Sequence, residues 1–192
     1  MARMQEIASR FVMLNQTQPS VVSDNSSRPA AVLILLTPSV DFSNTDLILI
    51  RRPLWLRHHP GQLCFPGGKQ DAEDSSLLDT ALRETKEELG ISLVAQEILG
   101  TLPQRETVSG FTIKPYIMAI NTLPQFRPCS AEVDEVLRLP LEPFMAPGAF
   151  GLWHGIRHKR SFSTPGIVVN DQLIWGATAR ILMDFVQHLA SG

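Results

Sequence analysis

The sequence predicts an α+β domain built in layers. Short apolar runs are mixed with helical segments, without the regular strand-helix alternation of a parallel α/β sheet. One segment of helical period carries leucines together with a set of glutamates, and a second, near the carboxyl end, carries an apolar face. At 192 residues and 44% apolar content the chain can bury a core of its own, and one domain is the expectation at that length.

Residues 1–14 read as an amphipathic helix, with Gln5, Ser9 and Arg10 among apolar neighbours, and residues 16–28 as a connecting arm rich in Ser, Asn, Gln and Pro. Residues 1–28 are thus expected to precede a domain spanning 29–192. Residues 31–36 and 47–50 are apolar runs separated by Pro38, Asn44 and Asp46, the pattern of two adjacent antiparallel strands. A helix is expected over 76–89, closed by Gly90, followed by strands at 98–102, 113–120 and 133–139. Past a stretch containing Pro140, Pro143 and Pro147, residues 167–175 suit a hairpin about Asn170-Asp171. Gly176 then precedes a last helix faced by Ile181, Leu182, Phe185, Val186 and Leu189.

A net charge of −2 gives no global field toward nucleic acid or an anionic membrane, so an anionic ligand must be held by local cations. Two clusters qualify: Arg51, Arg52 and Arg57, and Arg157, His158, Lys159 and Arg160, the second read as surface. No apolar run reaches the roughly eighteen residues of a membrane span, and the expected setting is the cytosol. Cys64 and Cys129, widely separated, suit reduced thiols better than a disulfide or zinc framework. Cys64 reads as packing.

On a helix each residue turns by about 100°, so Glu84, Glu87 and Glu88 fall within an arc of about 100°, with Leu78, Leu82 and Leu89 on a neighbouring stripe. Like charges so placed repel by roughly 0.2–0.5 kcal/mol per exposed pair. Arg83 can reach Glu87, but one guanidinium cannot neutralise three carboxylates, and hard oxygen ligands of this kind suit Mg²⁺ or Mn²⁺. Glutamate-rich helices are also ordinary solvated faces. Upstream, however, lies Phe65-Pro66-Gly67-Gly68, where two glycines let the backbone pass close to a ligand or metal.

Gly68, Asp74 and the run Arg83-Glu84-Thr85-Lys86-Glu87-Glu88-Leu89-Gly90-Ile91 together resemble the Nudix box. The resemblance implies an α/β/α sandwich around a mixed sheet, with a loop-helix-loop that holds metal against a diphosphate. It implies that Glu84, Glu87 and Glu88 are metal ligands, one doubling as a base, that the Gly67 carbonyl is a further ligand, and that Arg83 orients the glutamates. Arg83 lies one residue further from Gly68 than in the usual box, so Asp74 replaces the box's first glutamate only if the loop carries an extra residue. A glutamate from outside the box often completes such sites, and Glu135 is the candidate.

Arg52, then Leu56-Arg57-His58-His59-Pro60-Gly61-Gln62, leading into Phe65-Pro66-Gly67-Gly68-Lys69, resembles the signature of the coenzyme A diphosphatase subgroup, with Arg57, Gly61 and Phe65 at its intervals. Trp175-Gly176-Ala177-Thr178 resembles that subgroup's later region, whereas Ile50 and Pro53 stand where it often has Thr and Ser. The resemblance implies a small-molecule substrate, coenzyme A or a related diphosphate, met by Arg52, Arg57, Gly61 and Lys69. Cleavage would yield 3′,5′-ADP and 4′-phosphopantetheine. The alternatives are another nucleoside diphosphate such as ADP-ribose, a damaged nucleoside triphosphate, or a non-catalytic nucleotide sensor. Family members often dimerise, and the N-terminal helix could serve such an interface.

Overall fold

The structure, a computed structural model, describes residues 27–37, 44–120, 122–157 and 160–190. The expected N-terminal helix and most of the arm lie outside the described residues, as do His158 and Lys159.

The central strand is β1 (Arg28–Leu36), whose alternate side chains are buried on both faces: Ala31, Leu33 and Leu35 on one, Ile34 and Leu36 on the other. A continuous apolar run is what a strand covered on both sides requires. β1 pairs antiparallel with β2 (Asp46–Arg51) as expected, and parallel with β7 (Phe111–Ala119) along its whole length. Four short strands complete one set of pairings. β3 (Leu63–Cys64) lies on β2, β4 (Gly67–Lys69) on β1, and β5 (Ile98–Thr101) and β6 (Arg105–Glu106) on β7. β8 (Glu135–Pro140) also pairs with β2. The sheet is therefore mixed.

Helix α1 (Leu77–Leu89) covers the Ala31-Leu33-Leu35 face. The short α2 (Glu142–Met145) and the terminal α3 (Ala177–Ala190) cover the other, where Phe144, Ile181, Phe185 and Leu189 meet Ile34, Leu36, Leu47 and Leu49. A second sheet of β9 (Gly151–Arg157), β10 (Arg160–Val169) and β11 (Gln172–Trp175) packs Ile167, Val169 and Ile174 into the same core. The β10–β11 turn holds Asn170 and Asp171 at φ 50° and 60°, as the sequence led one to expect. No described helix is long and apolar enough to cross a membrane.

Two features differ from expectation. β9 was not foreseen, because Leu152, Trp153 and Ile156 are exposed and leave no alternating burial for a pattern to follow. In α1 the buried face runs through Ala81, Thr85, Glu88 and Leu89, while Leu78 and Leu82 are only half-buried. The helix turns a glutamate inward where a leucine stripe was expected.

Candidate active site

α1 is fixed at both ends. The Ser76 hydroxyl accepts from the Asp79 amide at 3.1 Å, satisfying a donor the first turn leaves free. Gly90 closes the helix at φ 68°, its N–H donating to the Lys86 carbonyl. The helix passes directly under β4, and the two glycines there have distinct tasks. A Cβ on Gly67 would run into the β1 backbone at Ala31, and one on Gly68 would stand 2.5 Å from the Glu84 carboxylate carbon. Only glycine lets α1 and β1 approach this closely.

Glu88 is 3% exposed, and its Oε2 accepts from the Gly67 N–H at 2.9 Å. Burial pushes its carboxyl up to about 8; the nearby Glu84 and Glu132 charges add to the rise, and the Gly67 N–H and Arg52 oppose it. Glu84 is raised by burial too, with Arg83 opposing and Glu87 and Glu132 adding. Glu87 is exposed and bonds Arg83 at 3.2 Å.

Arg83 is the hub. It grips Asp74 through two 2.9 Å bonds, reaches Glu84 at 3.1 Å, and donates to the Lys69 carbonyl. The Asp74 side chain is 5% exposed and also accepts from Thr80 and the Asp71 amide. The Arg83 hydrogen bond, helped by these donors, holds its carboxyl well below the usual carboxylate range. Asp74 thus anchors Arg83, and Arg83 aims the glutamates.

The remaining expected residues divide. Arg52 lies beside Glu88 and Cys64, its Nε buried without a hydrogen-bond partner. Cys64 is itself pushed up to about 12, chiefly by burial, so its thiol stays protonated and packs. Gly61 (φ 68°) donates to the Arg52 carbonyl, closing the 53–61 loop that carries exposed Arg57. Lys69 is 3.9 Å from Asp71 at the surface.

Glu135 is directed elsewhere. Strand parity sets it with Leu137 and Leu139, on the face opposite α1, and its carboxylate pairs with Arg51 at 3.1 Å, which also bonds Gln172. The glutamate that joins Glu84 and Glu88 is Glu132. Its loop is stitched to the end of α1 by Arg127 N–H to Leu89 carbonyl and Cys129 N–H to Glu88 carbonyl, and the Cys129 carbonyl then accepts from the Glu132 amide. No periodicity marks such a residue, because loop hydrogen bonds alone set its place.

Carboxylates flanking a glycine backbone are a donor set for a hard divalent cation. Burial of Glu88 beside two like charges, with room kept open at Gly68, fits one here. Among the described residues no three acidic, histidine or cysteine side chains stand as a ready-made ligand group. Arg83 reaches Glu84 through Oε1 and the Gly67 N–H reaches Glu88 through Oε2, so each carboxylate keeps its other oxygen for a cation.

The NUDIX domain model matches residues 27–155. A protein of Yersinia enterocolitica described as "Uncharacterized Nudix hydrolase NudL" is 37% identical over 189 residues, covering 96% of this chain and 92% of its own length. Its counterpart in Pectobacterium atrosepticum is 34% identical over 177 residues, covering 92% and 90%. Among solved structures, a MutT/nudix family protein from Enterococcus faecalis superposes with a TM-score of 0.60 at 16% identity, covering 95% of this chain and 69% of that one. A NUDIX hydrolase from Alicyclobacillus acidocaldarius gives 0.50 at 20% identity, over 65% and 83%. With the glycine pair, Arg83 hub and inward glutamates on one helix, these matches establish that the chain belongs to the Nudix hydrolase family, enzymes acting on diphosphate-containing substrates.

Proposed function

We propose that this hydrolase cleaves the diphosphate of coenzyme A or a derivative, releasing 3′,5′-ADP and 4′-phosphopantetheine. The observation that carries the reading is the rooting of the 53–61 loop in the site. Arg52 N–H donates to the Gln62 carbonyl, the Gly61 N–H donates back to the Arg52 carbonyl, and the Arg52 charge is near enough to act on Glu88. Arg57 is exposed on that loop, and Phe65, just before the glycine pair, is anchored in the core. Thr178, in the second stretch resembling the coenzyme A subgroup, donates to the Leu63 carbonyl at 3.0 Å, so both stretches meet at one place. Coenzyme A carries a 3′-phosphate besides its diphosphate, and a second cationic centre such as Arg57 suits it.

Glu84, Glu87 and Glu88, with the Gly67 carbonyl and Glu132, are the residues that would hold Mg²⁺ or Mn²⁺. The bound cation supplies charge neutralisation at the diphosphate oxygens and acidifies water. The Arg52 guanidinium offers positive charge beside the glutamates to a phosphate oxygen. A glutamate of the Glu84-Glu88-Glu132 group takes the proton of the attacking water, whose oxygen bonds to one phosphorus as the bridging P–O bond breaks. Arg83, anchored by Asp74, keeps Glu84 and Glu87 aimed, and the Gly67 N–H holds Glu88. A non-catalytic sensor would have no use for a buried Glu88 repelled by Glu84 and Glu132.

The test is incubation with coenzyme A, ADP-ribose and a panel of nucleoside triphosphates, each with Mg²⁺ or Mn²⁺, with products separated by chromatography. Release of 3′,5′-ADP from coenzyme A is the expected result. Turnover of ADP-ribose or triphosphates alone would overturn the substrate and leave the metal chemistry.

A further inference from the structure

The 53–61 loop carries two large apolar side chains in the open, Leu54 at 74% and Trp55 at 68% exposure. Neither belongs to the core. An exposed tryptophan beside charged groups is the composition of a binding surface. The loop is also held still. Buried Pro53 accepts from the Leu56 N–H, Gln62 donates to the His59 carbonyl, and the His59 ring bonds the Gln62 side chain. Leu54 packs where a Cβ on Gly61 would come within 2.9 Å of it. A side chain presented on a turn so fixed loses little freedom when a ligand covers it.

We propose that Trp55 is the platform on which the substrate's nucleobase stacks, with Arg57 meeting the phosphate on the adjoining ribose. This deepens the coenzyme A reading and rests on it for the identity of the base. Position supports it first. Trp55 follows Arg52 by three positions, so their Cα atoms lie within about 11 Å, a span comparable to that from a diphosphate to the base of its nucleotide. Arg52 itself lies near Glu88, at the end of the loop closest to the glutamates.

Spacing supports it second. Trp55 and Arg57 are two residues apart, at most about 7 Å between Cα atoms, which matches a base and a phosphate on its own ribose. An acyl or pantetheine tail is the other apolar part of such a substrate. That tail leaves from the far side of the diphosphate, away from the 3′-phosphate, so one short loop cannot serve both Arg57's phosphate and the tail. A planar base offers Trp55 a face for stacking, and stacking tolerates either orientation of the ring.

The experiment uses the full chain and follows intrinsic fluorescence during titration with 3′,5′-ADP and with 5′-AMP, alongside kinetics on coenzyme A. Trp153 and Trp175 supply the background signal in W55F. The expected result is nucleotide-dependent quenching that W55F loses, with W55A weakening 3′,5′-ADP binding and raising KM for coenzyme A about tenfold while W55F stays within about threefold. R57Q should level the affinities for 3′,5′-ADP and 5′-AMP. If neither nucleotide changes the Trp55 signal, the platform is overturned, whatever the enzyme hydrolyses. If coenzyme A is cleaved with the same KM by W55A, the platform falls and the substrate stands. Quenching by nucleotides without any coenzyme A turnover would uphold the platform and overturn the substrate.

Discussion

Asp74 and Arg83 are joined by two hydrogen bonds, and the pair never needs to touch substrate. Two parallel 2.9 Å bonds fix the guanidinium plane, leaving Nη1 free to reach Glu84 and Glu87. Because Asp74 is held far below the ordinary carboxylate range, its ionised form favours the folded state. The sign follows: the contribution is complete above the unfolded value near 3.9 and fades as pH falls below it. Asp74→Asn should cost roughly 1–3 kcal/mol of stability at pH 7. In urea melts the gap between wild type and variant should begin to narrow below about pH 4 and keep narrowing as the pH falls further; a gap constant down to about pH 2 would mean that the carboxylate charge contributes nothing. Turnover in this variant should fall with the affinity for metal, since Arg83 loses its anchor.

At the scale of elements, the site is a helix end clasped by two loops. Gly90 lies at φ 68°, and a Cβ there would come within 2.7 Å of the Arg127 carbonyl oxygen, in the loop that carries Glu132. Gly90→Ala should therefore destabilise by about 1–2 kcal/mol through the left-handed backbone alone. It should also displace Glu132 and lower kcat measured well below the melting temperature; unchanged kcat would separate the loop from the chemistry. The sequence made α1 and its stop legible because helical period and the closing glycine are local signals. It also placed the central strands and the β10–β11 turn. Glu132 was not legible, since its position depends on hydrogen bonds from Arg127 and Cys129 to the far end of α1. Glu135 looked the better candidate because it opens a strand, yet strand parity turns it toward Arg51. The inward turn of Glu88 was hidden for a related reason: leucines in sequence imply a buried stripe, but the close approach of β4 gives that face to Ala81 and Thr85.

At the scale of the whole molecule, the most buried charged side chain among the described residues lies at the seam between α1 and the sheet. Glu88, near Glu84 and Glu132, opposes folding in the metal-free protein, because ionising a carboxylate in an apolar setting beside like charges is unfavourable. A cation that binds only the folded state reverses this balance, adding about 2.7 kcal/mol at a free concentration of 100 Kd. For a chain of this length that corresponds to a rise of roughly 5–10 °C in Tm. Glu88→Gln removes the buried charge and keeps the shape, so the metal-free variant should melt no lower than the metal-free wild type. On adding Mg²⁺ or Mn²⁺, however, its Tm should hardly move, and its turnover should be largely lost. Melting curves of both proteins, after chelation and then across a metal titration, check this directly. A wild-type Tm indifferent to either ion would remove the metal from the Glu84-Glu88-Glu132 seam, and an equal rise in both proteins would remove Glu88 from the ligand set.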